Sequence, residues 1–258
     1  MATKQYVLGR GKVYFDAMLP NSKTRTGERF MGNVTAFNMS IESESLDHYD
    51  STQGIREKDK TVTLQINRAG TLTTDDMNTE NILLFILGES ETVTQTATPV
   101  VDEEINGVLA DRWYQLGASG SNPTGVRGVG SVTVTNDTGV TTYVADTDYT
   151  LDADLGRIYI IDGGAISDGD DLLVDYTPVA NSRTRIASSA SATLDGSLRF
   201  VATNPEGPKH DVYLPYCRLS PSGELPMIGD EWQAMSFNLD IQKYDDNTAA
   251  IFIDGEAA

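Results

Sequence analysis

Cysteine and histidine are nearly missing from this 258-residue chain, which holds one cysteine, Cys217, and two histidines, His48 and His210. One thiol cannot close an internal disulfide, and one thiol with two imidazoles cannot complete a four-ligand zinc cage. Aromatic residues make up only 8%, with two tryptophans, Trp113 and Trp232, which leaves little from which to build a sugar-stacking cleft. Basic residues are scarce too: 19 Lys and Arg stand against 38 Asp and Glu, for a net charge of −19. A surface this acidic repels phosphates and disfavours a protein that grips DNA or RNA. No apolar run is long enough for a membrane-crossing helix, and the opening MATKQYVLGRGKVYFD lacks the apolar stretch of a signal peptide. The expectation is a chain made and folded in a reducing cytoplasm.

What is present suffices for a core. With 39% hydrophobic and 22% charged residues the chain is folded rather than disordered. Its length suits one domain carrying a smaller second one. Charge divides it: residues 1–95 hold 10 basic and 13 acidic side chains, residues 96–180 hold 3 and 14, and residues 181–258 hold 6 and 11. The borders of the middle part, ETVTQTATP (91–99) and PVANSRTRIASSAS (178–191), are rich in Thr, Ser and Ala and read as linkers. This predicts a discontinuous core domain, 1–95 with 181–258, and an inserted domain over 96–180. Inside the insertion, SVTVT (131–135) and VTTYV (140–144) flank an Asn-Asp-Thr-Gly turn and predict a hairpin. Further short strands at 149–151, 156–161 and 171–176 suggest a small sandwich of immunoglobulin-like size.

The flanking parts alternate with a period of two. Phe37, Met39 and Ile41 oppose Asn38, Ser40, Glu42 and Glu44; Val62, Leu64 and Ile66 oppose Thr61, Thr63, Gln65 and Asn67; Phe237, Leu239 and Ile241 oppose Ser236, Asn238, Asp240 and Gln242. Such alternation predicts half-buried strands with one wet face. Among those twelve polar positions three are acidic, nine are neutral and none is Lys or Arg. DDMNTENILLFILGE, from Asp75, predicts one helix, with Asp75, Asp76 and Asn78 as cap candidates and Gly88 as its stop. SLDHYDSTQGIREKDK (45–60) is charged in both signs and predicts a projecting loop.

Motifs for chemistry are weak. Gly9-Arg10-Gly11 precedes a strand-like run rather than a helix and reads as a turn, not a phosphate cradle. Asp146, Asp148, Asp152 and Asp154, or Asp168, Asp170 and Asp171, offer carboxylates for a hard cation, but neither group follows the EF-hand order. There is no G-x-S-x-G elbow, and the sequence does not bring His210 to Cys217 or to a serine. No reaction class is indicated, so the expectation is a non-enzymatic protein without a metal or cofactor.

Longer phrases carry a resemblance. GRGKVYFD (9–16), GERFMGNVTAFNMSIESESLDHYDS (27–51) and GIREKDKTVTLQINRAGTLTTDDMNTENILLFILGE (54–89), closed by WQAMSFNLDIQKY (232–244), resemble the major tail tube proteins of long-tailed double-stranded DNA phages. The resemblance implies a mainly β subunit, a two-sheet sandwich or barrel with one flanking helix, assembled in the host cytoplasm as hexameric rings that stack into the hollow tail of the virion. DNA passes through the lumen without specific binding. The implied partners are further copies and the other tail proteins: tape measure, tail tip and terminator. On this reading Asn38, Ser40, Glu42, Glu44, Thr63, Gln65, Asn67, Asn238, Asp240 and Gln242 face the lumen. Asp47, Asp50, Arg56, Glu57, Lys58, Asp59 and Lys60 lie on the loop that reaches the adjacent ring. The insertion, which simpler family members lack, is expected to face outward. The alternative from another class is an acidic, calcium-dependent surface-binding β-sandwich.

Overall fold

The computed structural model describes residues 5–52, 54–188 and 194–255. From the N-terminus come β1 (Gly11–Ala17), β2 (Arg29–Phe30), β3 (Val34–Asp50), β4 (Glu57–Thr74), α1 (Thr79–Ile86) and β5 (Gly88–Gln95). Shorter strands follow: β6 (Val100–Ile105), β7 (Trp113–Gln115), β8 (Val129–Asn136), β9 (Tyr149–Asp152), β10 (Arg157–Ile160) and β11 (Leu172–Pro178). The last are β12 (Asn181–Ser188), β13 (Leu194–Ala202), β14 (His210–Ser222), β15 (Met235–Ile241) and β16 (Phe252–Gly255). The chain divides into two compact units, Met1–Ser90 with Ile186–Ala258, and Glu91–Arg185.

The first unit is built on one continuous antiparallel sheet in the order β2-β1-β13-β14-β15-β4-β3, with β16 alongside β14. The unit is mainly β, and its strands form one hydrogen-bonded path that folds over its own core as a sandwich does. Four strand spacings of about 4.8 Å would hold β13 and β3 roughly 19 Å apart in a flat sheet. The rings of Phe37 on β3 and Phe200 on β13 are instead 5.9 Å apart, so the sheet curls until β3 approaches β13. The concave side buries Val13, Phe15, Leu72, Leu198, Leu214, Leu219, Phe237 and Leu239.

Helix α1 lies against this core, with Phe85 edge-on to Phe237 at 5.9 Å. Asn78 is its N-cap, accepting from the Asn81 amide at 2.8 Å. Asn81 is fully buried and donates to the carbonyls of Met31 and Asp76. The helix does not end at Gly88 as expected. Leu87 takes the left-handed conformation, φ 50°, and donates to the Leu83 carbonyl. Gly88 serves a different need: a Cβ there would sit 2.6 Å from the Ala187 carbonyl oxygen, so only glycine admits this approach.

Three other expectations are corrected. The two Thr- and Ser-rich borders are not linkers but β5 and β12, paired in a two-stranded sheet, because β-branched Thr and Val favour extended backbone. Residues 189–191 of the second border lie outside the described residues. Residues 45–60 are not one loop, since β3 continues to Asp50 and β4 begins at Glu57. Their charges satisfy one another across the pair: Lys58 Nζ and Thr61 Oγ1 donate to Asp47, at 2.7 and 2.8 Å, and His48 Nδ1 lies 2.6 Å from Asp59 Oδ1. A ribbon wet on both faces needs no apolar residues. Finally, the apolar sides of β3 and β4 are buried only near the body. Beyond the last β15 pairing, Asp240 with Ala69, the two strands run on as an arm. There Ile41 is 64% and Leu64 59% exposed.

The second unit holds two three-stranded antiparallel sheets, β7-β10-β9 and β6-β11-β8. They share one core that includes Val134, Tyr149, Ile158, Ile160, Leu172 and Tyr176. Of the hairpin expected at 131–144, the first strand forms as part of β8, and the second is reduced to a bridge between Thr135 and Thr142.

Two measurements test this core. Phe237→Ala removes a fully buried ring and is expected to cost about 3–5 kcal/mol, read as a lower urea midpoint at unchanged slope. Cys217 is fully buried, and burial above all, with Asp195 and Asp240 adding to it, pushes its thiol up to about 12 from an ordinary 9.0. The folded protein therefore keeps a proton that the unfolded chain releases. Stability is unaffected by this group below pH 9 and falls between pH 9 and 12 by on the order of 1 kcal/mol per pH unit, whereas Cys217→Ala lacks that component.

Candidate functional site

The feature with functional chemistry is the convex polar face of β3, β4 and β15. Antiparallel partners share a face, and the register sets Asn38 opposite Thr71, Ser40 opposite Ala69, Glu42 opposite Asn67 and Glu44 opposite Gln65. β15 adds Asn238 beside Thr71 and Asp240 beside Ala69. The register then skips Leu64, passing from Glu44–Gln65 to Ser45–Thr63, so Thr63 shares the face of Ser45 and lies across from Glu44 and Gln65. Gln242, just past β15, donates to Asp240 Oδ2 at 2.6 Å. Nine of the ten positions expected to form one polar surface thus lie on one side of the sheet, and Thr63 is the exception. Local amide and hydroxyl bonds tie them together: Asn38 Nδ2 donates to Thr71 Oγ1 at 3.3 Å and Gln65 Nε2 to Asn67 Oδ1 at 2.6 Å.

The face is wider than sequence patterning indicates. β14 pairs Arg218 with Asp240 and Ser220 with Asn238, so both join it. The alternation of Cys217 and Leu219 against Arg218 and Ser220 is the signal that could have found them. Arg218 corrects the expectation of a face without cations, but it is not free. Its Nε donates to Asp195 Oδ1 at 2.8 Å, and Tyr216 donates to Asp195 Oδ2 at 3.0 Å. The Arg218 hydrogen bond holds the Asp195 carboxyl below the usual carboxylate range, helped by Tyr216 and opposed by burial.

Other cations of this unit cluster on a different flank, where aromatic rings cap them. Arg199 lies 4.5 Å from the Tyr213 ring centre, Lys23 4.7 Å from that of Tyr244, and Arg25 5.6 Å from that of Tyr213. Arg199 is also bound to Glu28 at 2.7 Å.

The remaining candidates resolve into structural roles. Among the Asp clusters, Asp148 accepts from the amides of Val144 and Ala165, Asp168 from Ala110, Asp170 from Ser167 and Asp171 from Gly107. Asp152 accepts from Leu155 and Arg157. Asp148, Asp152 and Asp170 close local turns, whereas Asp168 and Asp171 tie their segment to the distant amides of Ala110 and Gly107. Among the described residues no three His, Cys, Asp or Glu side chains are grouped to hold a metal ion. His210 opens β14 opposite Gly255, and no described helix is long and apolar enough to cross a membrane.

A family model described as protein of unknown function UCP028589 matches residues 6–251. No curated protein matches the chain.

The Asp195 pairing gives a test with a worked sign. A carboxyl with a lowered folded pKa contributes stability above its unfolded pKa, near 3.8, and loses it as pH falls through the folded value. Asp195→Asn is expected to cost about 1 kcal/mol at neutral pH, since the pair is partly exposed, and to flatten the acid limb of the stability curve. It also frees Arg218, so the variant should retain double-stranded DNA in a low-salt filter assay where the native protein does not.

Proposed function

The chain belongs to the family of proteins of unknown function UCP028589, whose model covers residues 6–251, and we propose that it is a structural, non-enzymatic virion protein. In this reading copies assemble into rings, six to a ring, and the rings stack into a phage tail tube that carries double-stranded DNA to the host cell. The polar face of β3, β4 and β15 lines the bore. The observation that carries the proposal is the joining of that face to a sheet edge: β3, 17 residues long, pairs only with β4 among the described residues.

An open edge of this length is a template for pairing with another strand. A sheet with two ends in each copy closes into a ring when the end of one copy meets the other end of the next. The surface such a ring would enclose bears Glu42, Glu44 and Asp240, with Arg218 neutralised by Asp195. DNA transit needs a wall that does not bind phosphates. Carboxylates act on it only within about 8–10 Å at physiological salt, which keeps the duplex off the wall without obstructing it. The second unit, residues 91–185, is placed on the outside of the tube.

Negative-stain microscopy of the purified protein is expected to show rings or tubes with a central bore; monomers at high concentration would remove the proposal. A Glu42→Lys, Glu44→Lys, Asp240→Lys variant should still assemble but hold DNA in a salt-dependent manner, slowing release from assembled particles at least tenfold.

A further inference from the structure

Cations are scarce in the second unit and are not evenly spread over it. Residues 91–185 hold 15 Asp and Glu against five arginines and no lysine. Arg157 is bound to Asp152 at 3.0 Å. Three of the other four, Arg127, Arg183 and Arg185, gather where β5 and β12 meet the loop 117–127. Alternation along β12 puts Asn181, Arg183 and Arg185 on one face. Arg183 and Arg185 line a cavity of about 330 Å³ together with Glu91, Ser121 and Asn122. This falls within the range of small-ligand pockets, and every residue lining it belongs to this unit.

The loop is fastened to these strands by bonds that leave positive charge over. Gln95 Nε2 and Asn181 Nδ2 both donate to the Arg127 carbonyl, at 2.6 and 2.9 Å. Arg185 donates to Asn122 Oδ1 at 2.5 Å, to Thr124 Oγ1 at 2.7 Å and to Glu91 Oε1 at 3.1 Å. Arg183 gives one nitrogen to the Gly125 carbonyl at 2.9 Å, while its Nη1 is buried and finds no acceptor in the protein. Burial above all, and then the positive charges of Arg185 and Arg127, push the Arg183 guanidinium below its ordinary 12.5. Of the described residues lining the cavity only Glu91 is a carboxylate, and it is bound to Arg185.

A buried guanidinium nitrogen without an acceptor is costly, and three arginines against one carboxylate leave two positive charges unbalanced. We propose that this cavity is a binding site for a single phosphate-type oxyanion, held by Arg183 and Arg185. The guanidinium fork matches two oxygens of a phosphate at once, which the point charge of a lysine does not. A dianion balances the excess and supplies the Arg183 guanidinium with the acceptor it lacks. The ligand is one isolated group rather than a nucleic-acid strand, because the 15 carboxylates of the unit repel an extended polyanion. The site is independent of the tube reading.

The test uses the full chain at constant ionic strength, with inorganic phosphate replacing chloride. Calorimetric titration is expected to show saturable binding, and the melting temperature to rise with phosphate as it does for any ligand that binds only the folded state. Arg183→Met keeps the apolar stem and removes the fork, and once shown to melt cooperatively it should bind phosphate about tenfold more weakly or worse, the loss of a charge-assisted pair. Glu91→Gln alters an exposed side chain, frees Arg185, and should bind phosphate more tightly than the native protein. Acetate, planar and singly charged, should bind more weakly than phosphate. Glycerol 2-phosphate separates two sources of the same chemistry: binding equal to that of phosphate assigns the site to a phosphate carried on a larger molecule, and binding of phosphate alone assigns it to the free anion. No saturable binding to the native protein, acetate bound as tightly as phosphate, or affinity unchanged in folded Arg183→Met or in Glu91→Gln would overturn the proposal.

Discussion

The antiparallel pairing of β3 with β4 governs the molecule. Both strands exceed the body they belong to, and register alone decides which side chains face which way. Near the body the pairing delivers Phe37 and Leu72 to the core; farther out it separates Glu42, Glu44 and Gln65 from Ile41 and Ile66 on two solvated faces. A slip of one residue would exchange these faces entirely. The bulge at Leu64 instead turns Thr63 to the face of Ser45, away from Gln65. The curled sheet, the polar surface and the uncovered apolar surface all inherit their arrangement from this pairing.

Much of this was legible because a period of two is a geometric statement. Positions 37–42, 62–67 and 236–242 alternate cleanly, and the polar members other than Thr63 converge on one face. What the pattern could not tell was whether the apolar members were covered. Alternation specifies two faces, and only the full sheet shows that β15 stops at Asp240 while β4 continues past Ala69. The charged segment 45–60 misled for a related reason: polarity argues against a strand only when one of its faces must be buried. Arg218 escaped notice because its strand is interrupted by Pro215 and Pro221, which obscure the alternation. The conformation of Leu87 had no signal, since glycine stood next to it.

Carboxylates, twice as numerous as cations, do two kinds of work. In the second unit, Asp148, Asp168, Asp170 and Asp171 accept backbone amides and so hold short loops between short strands. In the first unit they are distributed over a surface, where Asp195 neutralises the one arginine that enters it. Composition alone cannot distinguish a charge that fixes a turn from one that shapes a field. The hydrogen-bond partner decides.

The pairing of β5 with β12 has an architectural implication. Departure and return of the polypeptide occur on neighbouring strands, whose backbones in such a ribbon stand about 5 Å apart. A folded module whose own ends lie close together can be inserted at such a pair without separating the strands of its host.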